Sequence, residues 1–182
     1  MEFKDLIEQR RATRSLAPVT ITDAMVESLA KSASLAPSCF NKQPWRFEFV
    51  YSANMLPKIK TALNSPGNDW AQAASLIIAV HSTRELDCMV KERDYFLFDT
   101  GMGVALMLLA GIEMGLVMHP IAGYDAIAAK SILGLPESHT VITLIIAGAK
   151  AAEFNPILNE SQRASETVRP ARFAFDAFAH KR

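Results

Sequence analysis

"SLIIAVHS", residues 75–82, and "VITLIIAG", residues 141–148, are the two stretches on which the fold turns. Each is a short, continuous apolar run rich in Ile and Val. A strand with one face in water alternates polar with apolar residues, whereas a strand covered on both faces does not. Both runs are therefore expected as central strands. Before them, residues 20–35 place Val26, Leu29, Ala30 and Ala33 at helical spacing, with Thr20 and Asp23 as a capping pair and Pro37 preventing continuation. Between them, residues 116–121 read as a further strand after Gly115. Residues 125–133 read as a short helix stopped by Gly134 and Pro136.

At 182 residues and 20.0 kDa, with 50% hydrophobic and 21% charged residues, the chain suits a single globular domain over 1–182 with a substantial core. Nineteen basic residues balance nineteen acidic ones. A net charge of +0 gives no general electrostatic basis for binding nucleic acid or an anionic membrane. Two cysteines, Cys39 and Cys88, and a charged N-terminus read as a cytoplasmic, reduced protein. The four histidines and two cysteines are dispersed without metal-ligand spacing, so no metal site is expected, and Cys39 reads as a small buried thiol. "GMGVAL" at 101–106 lacks the third glycine of a dinucleotide fingerprint and follows a charged stretch instead of a strand.

A helix is expected over 89–114, with 104–112 apolar on every face and hence buried all round. The uncharged runs on either side of Glu113 fall short of the roughly 18–20 residues of a membrane span. One small chain has little with which to cover such a helix, so a partner subunit is expected. The tail, 150–182, carries Phe154, Phe173, Phe175 and Phe178 among its arginines and reads as an ordered arm laid onto that partner.

At the N-terminus, Phe3, Leu6 and Ile7 form an apolar helical stripe that continues at Arg10 and Arg14, with Arg11 beside it. An inward face that turns cationic needs anions, because an unpaired buried charge is strongly unfavourable. Guanidinium forks suit phosphates and planar acceptor edges. If the helix instead ends near Arg10, the arginines are solvated.

"RRATRSL" (10–16), "APSCFNKQPWRF" (36–47), "GLVMHPIAGYD" (115–125) and "EFNPILNESQR" (153–163), in this order, resemble the FMN-dependent nitroreductase family. The resemblance implies an α+β fold, a mainly antiparallel sheet flanked by helices, in an intertwined homodimer with FMN at the subunit interface. It implies hydride transfer from NAD(P)H to a nitro compound, quinone or other small acceptor. Flavin-dependent fragmentation or dehalogenation on the same fold, or flavin sequestration without turnover, are the alternatives.

The resemblance assigns Arg10 and Arg11 to the FMN phosphate and Arg14 to the pyrimidine edge of the flavin, where it would stabilise negative charge on the reduced ring. It assigns Pro37, Ser38, Cys39, Asn41 and Gln43 to a loop that meets the flavin and its ribityl chain, partly from the other subunit. It assigns Pro120, Ile121, Ala122 and Gly123 to a turn over the flavin face, with a backbone N–H near Gly123 reaching N5. Arg163 is implied as a tail phosphate ligand, with Arg169 as a further candidate. Ala12, Ala122 and Glu160 depart from the family pattern, which leaves acceptor choice open.

Overall fold

The computed structural model describes residues 2–182. In chain order the elements are α1 (Phe3–Gln9), β1 (Leu16–Ala17), α2 (Asp23–Ser34), β2 (Arg46–Val50), α3 (Leu56–Lys60), β3 (Leu76–Ser82), β4 (Met89–Val90), β5 (Arg93–Asp94), α4 (Phe96–Glu113), β6 (Leu116–Ile121), α5 (Ala126–Leu133), β7 (Thr140–Lys150) and α6 (Glu160–Thr167). β7 is the hub of the sheet. It pairs antiparallel with β3, β6 and β1, and β2 pairs antiparallel with β3.

The continuous apolar runs have the expected cause. Along β3, Ile77 and Ala79 point into a core with Ile59, Ala62, Trp70 and Ala129, on the side of α3 and α5. Leu76, Ile78 and Val80 point the other way, to Leu29, Ala33, Met107 and Met118 from α2, α4 and β6. β7 repeats the division with Leu144 and Ile146 against Ile145 and Ala147. Every residue of β3 is buried. Each such Ile or Leu contributes about 1.5–3 kcal/mol by leaving water, so the two strands anchor two core layers at once.

Helix ends follow local chemistry. α2 is capped by Thr22, whose Oγ1 accepts from Met25 N at 3.3 Å; Thr20 plays no part, and Asp23 is the first helical residue and accepts from the Tyr51 hydroxyl. α5 is capped by Asp125, which accepts from Ala128 N at 2.9 Å, and stops at Gly134 with φ 63°, the left-handed conformation glycine takes without strain.

Three expectations are corrected. The helix over 89–114 begins only at Phe96; residues 89–94 form a tight hairpin whose turn residues, Lys91 and Glu92, both have positive φ (49° and 66°). Two left-handed residues match the twist of a two-residue hairpin, and Arg84 pairs with Asp94 to hold it. Nor is α4 buried all round. Gly103, Met107 and Gly111, one stripe at four-residue spacing, are buried with Asp99 and Thr100, while Leu97, Phe98 and Leu106 are exposed. The N-terminal helix also stops early, at Gln9, with no buried residue and with Phe3 and Ile7 exposed. Arg10, Arg11 and Arg14 therefore lie on an extended segment, beyond any helical stripe.

The glycines of α4 set how closely it packs. A Cβ on Gly111 would stand 2.5 Å from Met118 Cγ and 2.6 Å from its sulfur. Gly111→Ala is expected to destabilise by about 1–3 kcal/mol through overpacking, read as a lower midpoint in urea. The double variant Gly111→Ala/Met118→Ala should lose less than the sum of its singles; simple additivity would show that the helix does not press on Met118.

Candidate functional site

Beyond α1 the chain is extended, and alternate side chains point in and out. Thr13 and Ser15 are buried, whereas Arg10, Arg11 and Arg14 are half-buried. α6 returns to this segment from the far end of the chain, its start fixed by a capping box in which Asn159 and Gln162 exchange hydrogen bonds. The Glu166 carboxylate accepts from the backbone N–H groups of Arg14 and of Ser15, the latter at 2.9 Å. Arg11 Nη2 donates to the Ser165 carbonyl at 2.7 Å and Arg14 Nη1 to Ser165 Oγ at 3.2 Å. Arg169 Nη2 donates to the Arg10 carbonyl at 2.9 Å.

The result is a hollow of about 250 Å³ lined by Arg10, Arg11, Ala12, Arg14, Ser165, Arg169, Pro170 and Arg172. Five guanidinium groups line it and no carboxylate does. Burial, then the charges of Arg169, Arg172 and Arg11, push the Arg10 pKa down. Like charges gathered this way at a partly buried site favour an anion among them. A larger hollow, about 480 Å³ between α5 and the start of β7, has only Lys130, Glu137 and His139 as titratable lining, and Lys130 is spent on the Glu137 carbonyl.

From Arg14 a line of contacts runs to the turn after β6. The Arg14 guanidinium stands 6.0 Å from the Trp70 ring centroid. Trp70 stacks on His119 at 4.6 Å, and Trp70 Nε1 donates to Asn68 Oδ1 at 3.3 Å. Asn68 Nδ2 in turn donates to the Gly123 carbonyl at 2.8 Å. A Cβ on Gly123 would meet that nitrogen at 2.7 Å, so a larger residue there would push the Asn68 amide off the Gly123 carbonyl. Ile121 is buried with its carbonyl accepting from Thr143 Oγ1 at 2.8 Å, Pro120 is half-buried and Ala122 is exposed. Arg10, Arg11, Arg14 and Pro120–Gly123 are thus parts of one connected region.

Two expected groups lie elsewhere. Arg163 turns its guanidinium onto the Pro156 carbonyl at 3.0 Å and does not line the arginine hollow, where Arg169 and Arg172 do. None of residues 37–43 lines it either. Their loop is held apart by Cys39 N donating to Asp99 Oδ2 at 2.6 Å and Gln43 N donating to Ser38 Oγ at 2.9 Å. Phe40, Asn41 and Gln43 take φ of 47°, 57° and 49°, and Phe40 is 84% exposed. Non-glycine residues in this conformation cost roughly 1–3 kcal/mol each and mark segments whose shape is used. Trp70, His119, Asn68, Ser165 and Glu166 were not singled out from the sequence. Their roles come from long-range packing, and only His119, inside the 115–125 motif, carried a local signal.

The model of the Nitroreductase family matches residues 7–66 and 60–149. The chain belongs to the nitroreductase family. Among its relatives, a candidate NAD(P)H nitroreductase of Bacillus subtilis, MhqN, is 25% identical over 84% of this chain and 90% of its own. A candidate NADH dehydrogenase/NAD(P)H nitroreductase of Archaeoglobus fulgidus is 29% identical over 81% and 84%. In fold, the chain is similar to a nitroreductase from Exiguobacterium sibiricum solved in complex with FMN, with a TM-score of 0.81 at 19% identity over 100% of this chain and 98% of that one. A solved FMN-containing oxidoreductase superposes with a TM-score of 0.84 at 20% identity over 100% and 92%. The nitroreductase fold, α+β with an antiparallel sheet flanked by helices, is thus the fold of this chain.

His119 makes the region pH-sensitive. Burial lowers its pKa to about 4, with the Arg14 and Arg10 charges adding to the effect against an Nδ1–H hydrogen bond to the Thr13 carbonyl at 2.9 Å. In the unfolded chain it protonates near 6.5. The folded state therefore resists a proton that the unfolded state accepts. This stability is complete above pH 6.5 and is lost as pH falls toward 4, by up to about 3 kcal/mol. His119→Gln is expected to flatten urea-unfolding stability across that window. An unchanged acid slope would place the sensitivity in other groups.

Proposed function

We propose that this nitroreductase-family protein holds FMN between two copies of the chain and is an oxidoreductase acting from NAD(P)H on a nitro compound, quinone or similar small acceptor. The observation that carries the reading is the hollow lined by five arginines and no carboxylate. It suits a terminal phosphate dianion. Arg10, Arg11, Arg169 and Arg172 would hold that phosphate. Arg163 requires release from Pro156 to join them.

The chemistry FMN supplies when bound is transfer of hydride between NAD(P)H and the acceptor. The protein's share is binding and orientation. Arg14, seated over Trp70, presents its cation to the ring side of the site and favours negative charge there. Asn68 fixes the Gly123 carbonyl, and the Gly123 N–H, in the preceding peptide unit, has no acceptor among the described residues. Exposed Ala122 leaves open space beside it for an acceptor. Release of the cofactor followed by chromatography tests the reading. Recovery of FMN is expected; FAD alone, or a colourless protein that takes up no flavin, overturns it.

Arg10→Ala and Arg14→Ala should differ in kind. Loss of a hydrogen bond to a charged group costs about 1.5–3 kcal/mol, so Arg10→Ala should weaken FMN by roughly ten- to a hundredfold with the flavin potential little changed. Arg14→Ala should make the flavin harder to reduce. Equal losses of affinity with no change in potential would remove the distinction between phosphate and ring roles.

The second copy is argued from apolar surface. Leu97 and Phe98 on α4 are 51% and 63% exposed, and Phe173 and Phe178 in the tail 82% and 68%. A symmetric homodimer covers such faces with the same faces of its partner. The first half of the tail closes on its own chain, through Asn155 N to Ser15 Oγ and Gln162 Nε2 to the Gly67 carbonyl, which leaves only its phenylalanine-bearing end as an arm. Light scattering on serially diluted holoprotein should show a dimer whose dissociation releases flavin. A monomer that stays yellow and active would show that one chain suffices.

A further inference from the structure

The sequence separates Cys39 from Asp87 and Cys88 by 48 and 49 residues, and the fold brings them together. The sulfur of Cys39, the sulfur of Cys88 and a carboxylate oxygen of Asp87 all lie within 4.8 Å of one another. Cys39 sits in the left-handed loop before β2, and Asp87 and Cys88 lead into β4. The cluster is stiff. Cys39 N donates to Asp99 Oδ2, Cys88 N donates to Asp87 Oδ1 at 2.7 Å, and the Cys88 thiol points at the Cys39 carbonyl at 3.5 Å. The cation near it is Lys42, which acts on the Cys88 thiol through its charge alone. Asp87 Oδ2 is fully buried and has no hydrogen-bond partner among the described residues, although buried carboxylate oxygens are normally satisfied by a donor or a cation.

We propose that Cys39, Asp87 and Cys88 form a binding site for one zinc ion, which clips the loop of residues 37–43 to the segment entering β4. Two thiols select a soft or borderline ion over magnesium or calcium. Tetrahedral zinc, with bonds of about 2.3 Å to sulfur and about 2.0–2.2 Å to oxygen, separates its ligands by less than about 4 Å, so the ligand atoms need only small rotations to converge. Asp87 Oδ2 gains the cation it lacks. Binding releases the two thiol protons and involves no oxidation or reduction. Three protein ligands leave a fourth position for water. The consequence is mechanical: a loop with three strained residues acquires a covalent-strength tie to the β4–β5 hairpin. This inference does not rest on the flavin reading, because it uses neither the arginine hollow nor the turn after β6.

Reduced, chelator-treated holoprotein titrated with Co²⁺ tests it. One Co²⁺ per chain with a thiolate-to-cobalt charge-transfer band in the difference spectrum is expected. Zn²⁺ should bleach that band and protect both thiols from an aromatic disulfide reagent. Cys88→Ser should lose the band, and Asp87→Asn, which keeps both thiols, should weaken Co²⁺ about tenfold or more. If Cys88→Ser does not fold, the wild-type titration and the thiol protection decide alone. Absence of the charge-transfer band with both thiols freely reactive overturns the site; so does a Cys39–Cys88 disulfide whose reduction yields a protein that takes up neither ion.

Discussion

Glu166 fastens the two ends of the chain together. Its carboxylate accepts from two consecutive backbone N–H groups, Arg14 and Ser15, across more than a hundred and fifty residues of sequence. Bonds to a charged acceptor are worth about 1.5–3 kcal/mol each, and these two do more than stabilise. They orient the extended segment so that the side chains of Arg10, Arg11 and Arg14 face α6, and they bring Ser165 within reach of two of those guanidiniums. The clasp does not act alone: His119 bonds the Thr13 carbonyl, Asn155 N donates to Ser15 Oγ and Arg169 donates to the Arg10 carbonyl. The hollow is thus built jointly by backbone contacts to Glu166 and by its own arginines, of which Arg11, Arg14 and Arg169 bond across it.

That origin explains what could be read in advance. Residues 75–82 and 141–148 announced two strands buried on both faces because local composition alone encodes two-sided burial, and both layers of the core follow from them. The arginines at 10, 11 and 14 were visible as an unusual cationic cluster, but the argument from a helical stripe failed. The chain leaves the helix at Gln9, and the gathering is done by a partner element that no local period reveals. Trp70 and Asn68 were invisible for the same reason: each acts through a contact to a distant residue, and an isolated tryptophan or asparagine outside a periodic element carries no signal. The hairpin at 89–94 was missed because its turn uses Lys91 and Glu92 in the left-handed conformation without the Asn-Gly signature that usually marks it.

α4 illustrates how one apolar pattern can satisfy two demands. The helix is long and apolar enough in composition to cross a membrane, yet its packing is decided by Gly103 and Gly111, where it presses on Trp45 and Met118. Small residues on one stripe let it approach the sheet closely, and the remaining faces keep Leu97, Phe98 and Leu106 outside. The sequence reading equated apolar all round with buried all round. In a single chain the glycine stripe is buried and Val104, Leu108 and Ile112 are partly covered, while Leu97 and Phe98 are left open.

The same division governs the site. The arginine hollow and the Gly123 turn are joined through Trp70 and Asn68, while the loop of residues 37–43 is rigidly built at the other end of α4, tied to Asp99 and lining nothing in its own hollow. A loop held in a costly conformation by buried partners, with an aromatic side chain projecting into solvent, is shaped for contact with something outside its own chain. The exposed Leu97 and Phe98 stand in the same turn of α4 as Asp99, to which that loop is tied. On the proposed dimer, a partner that covered Leu97 and Phe98 would also meet Phe40, because Cys39 beside it is tied to Asp99 in the same helical turn.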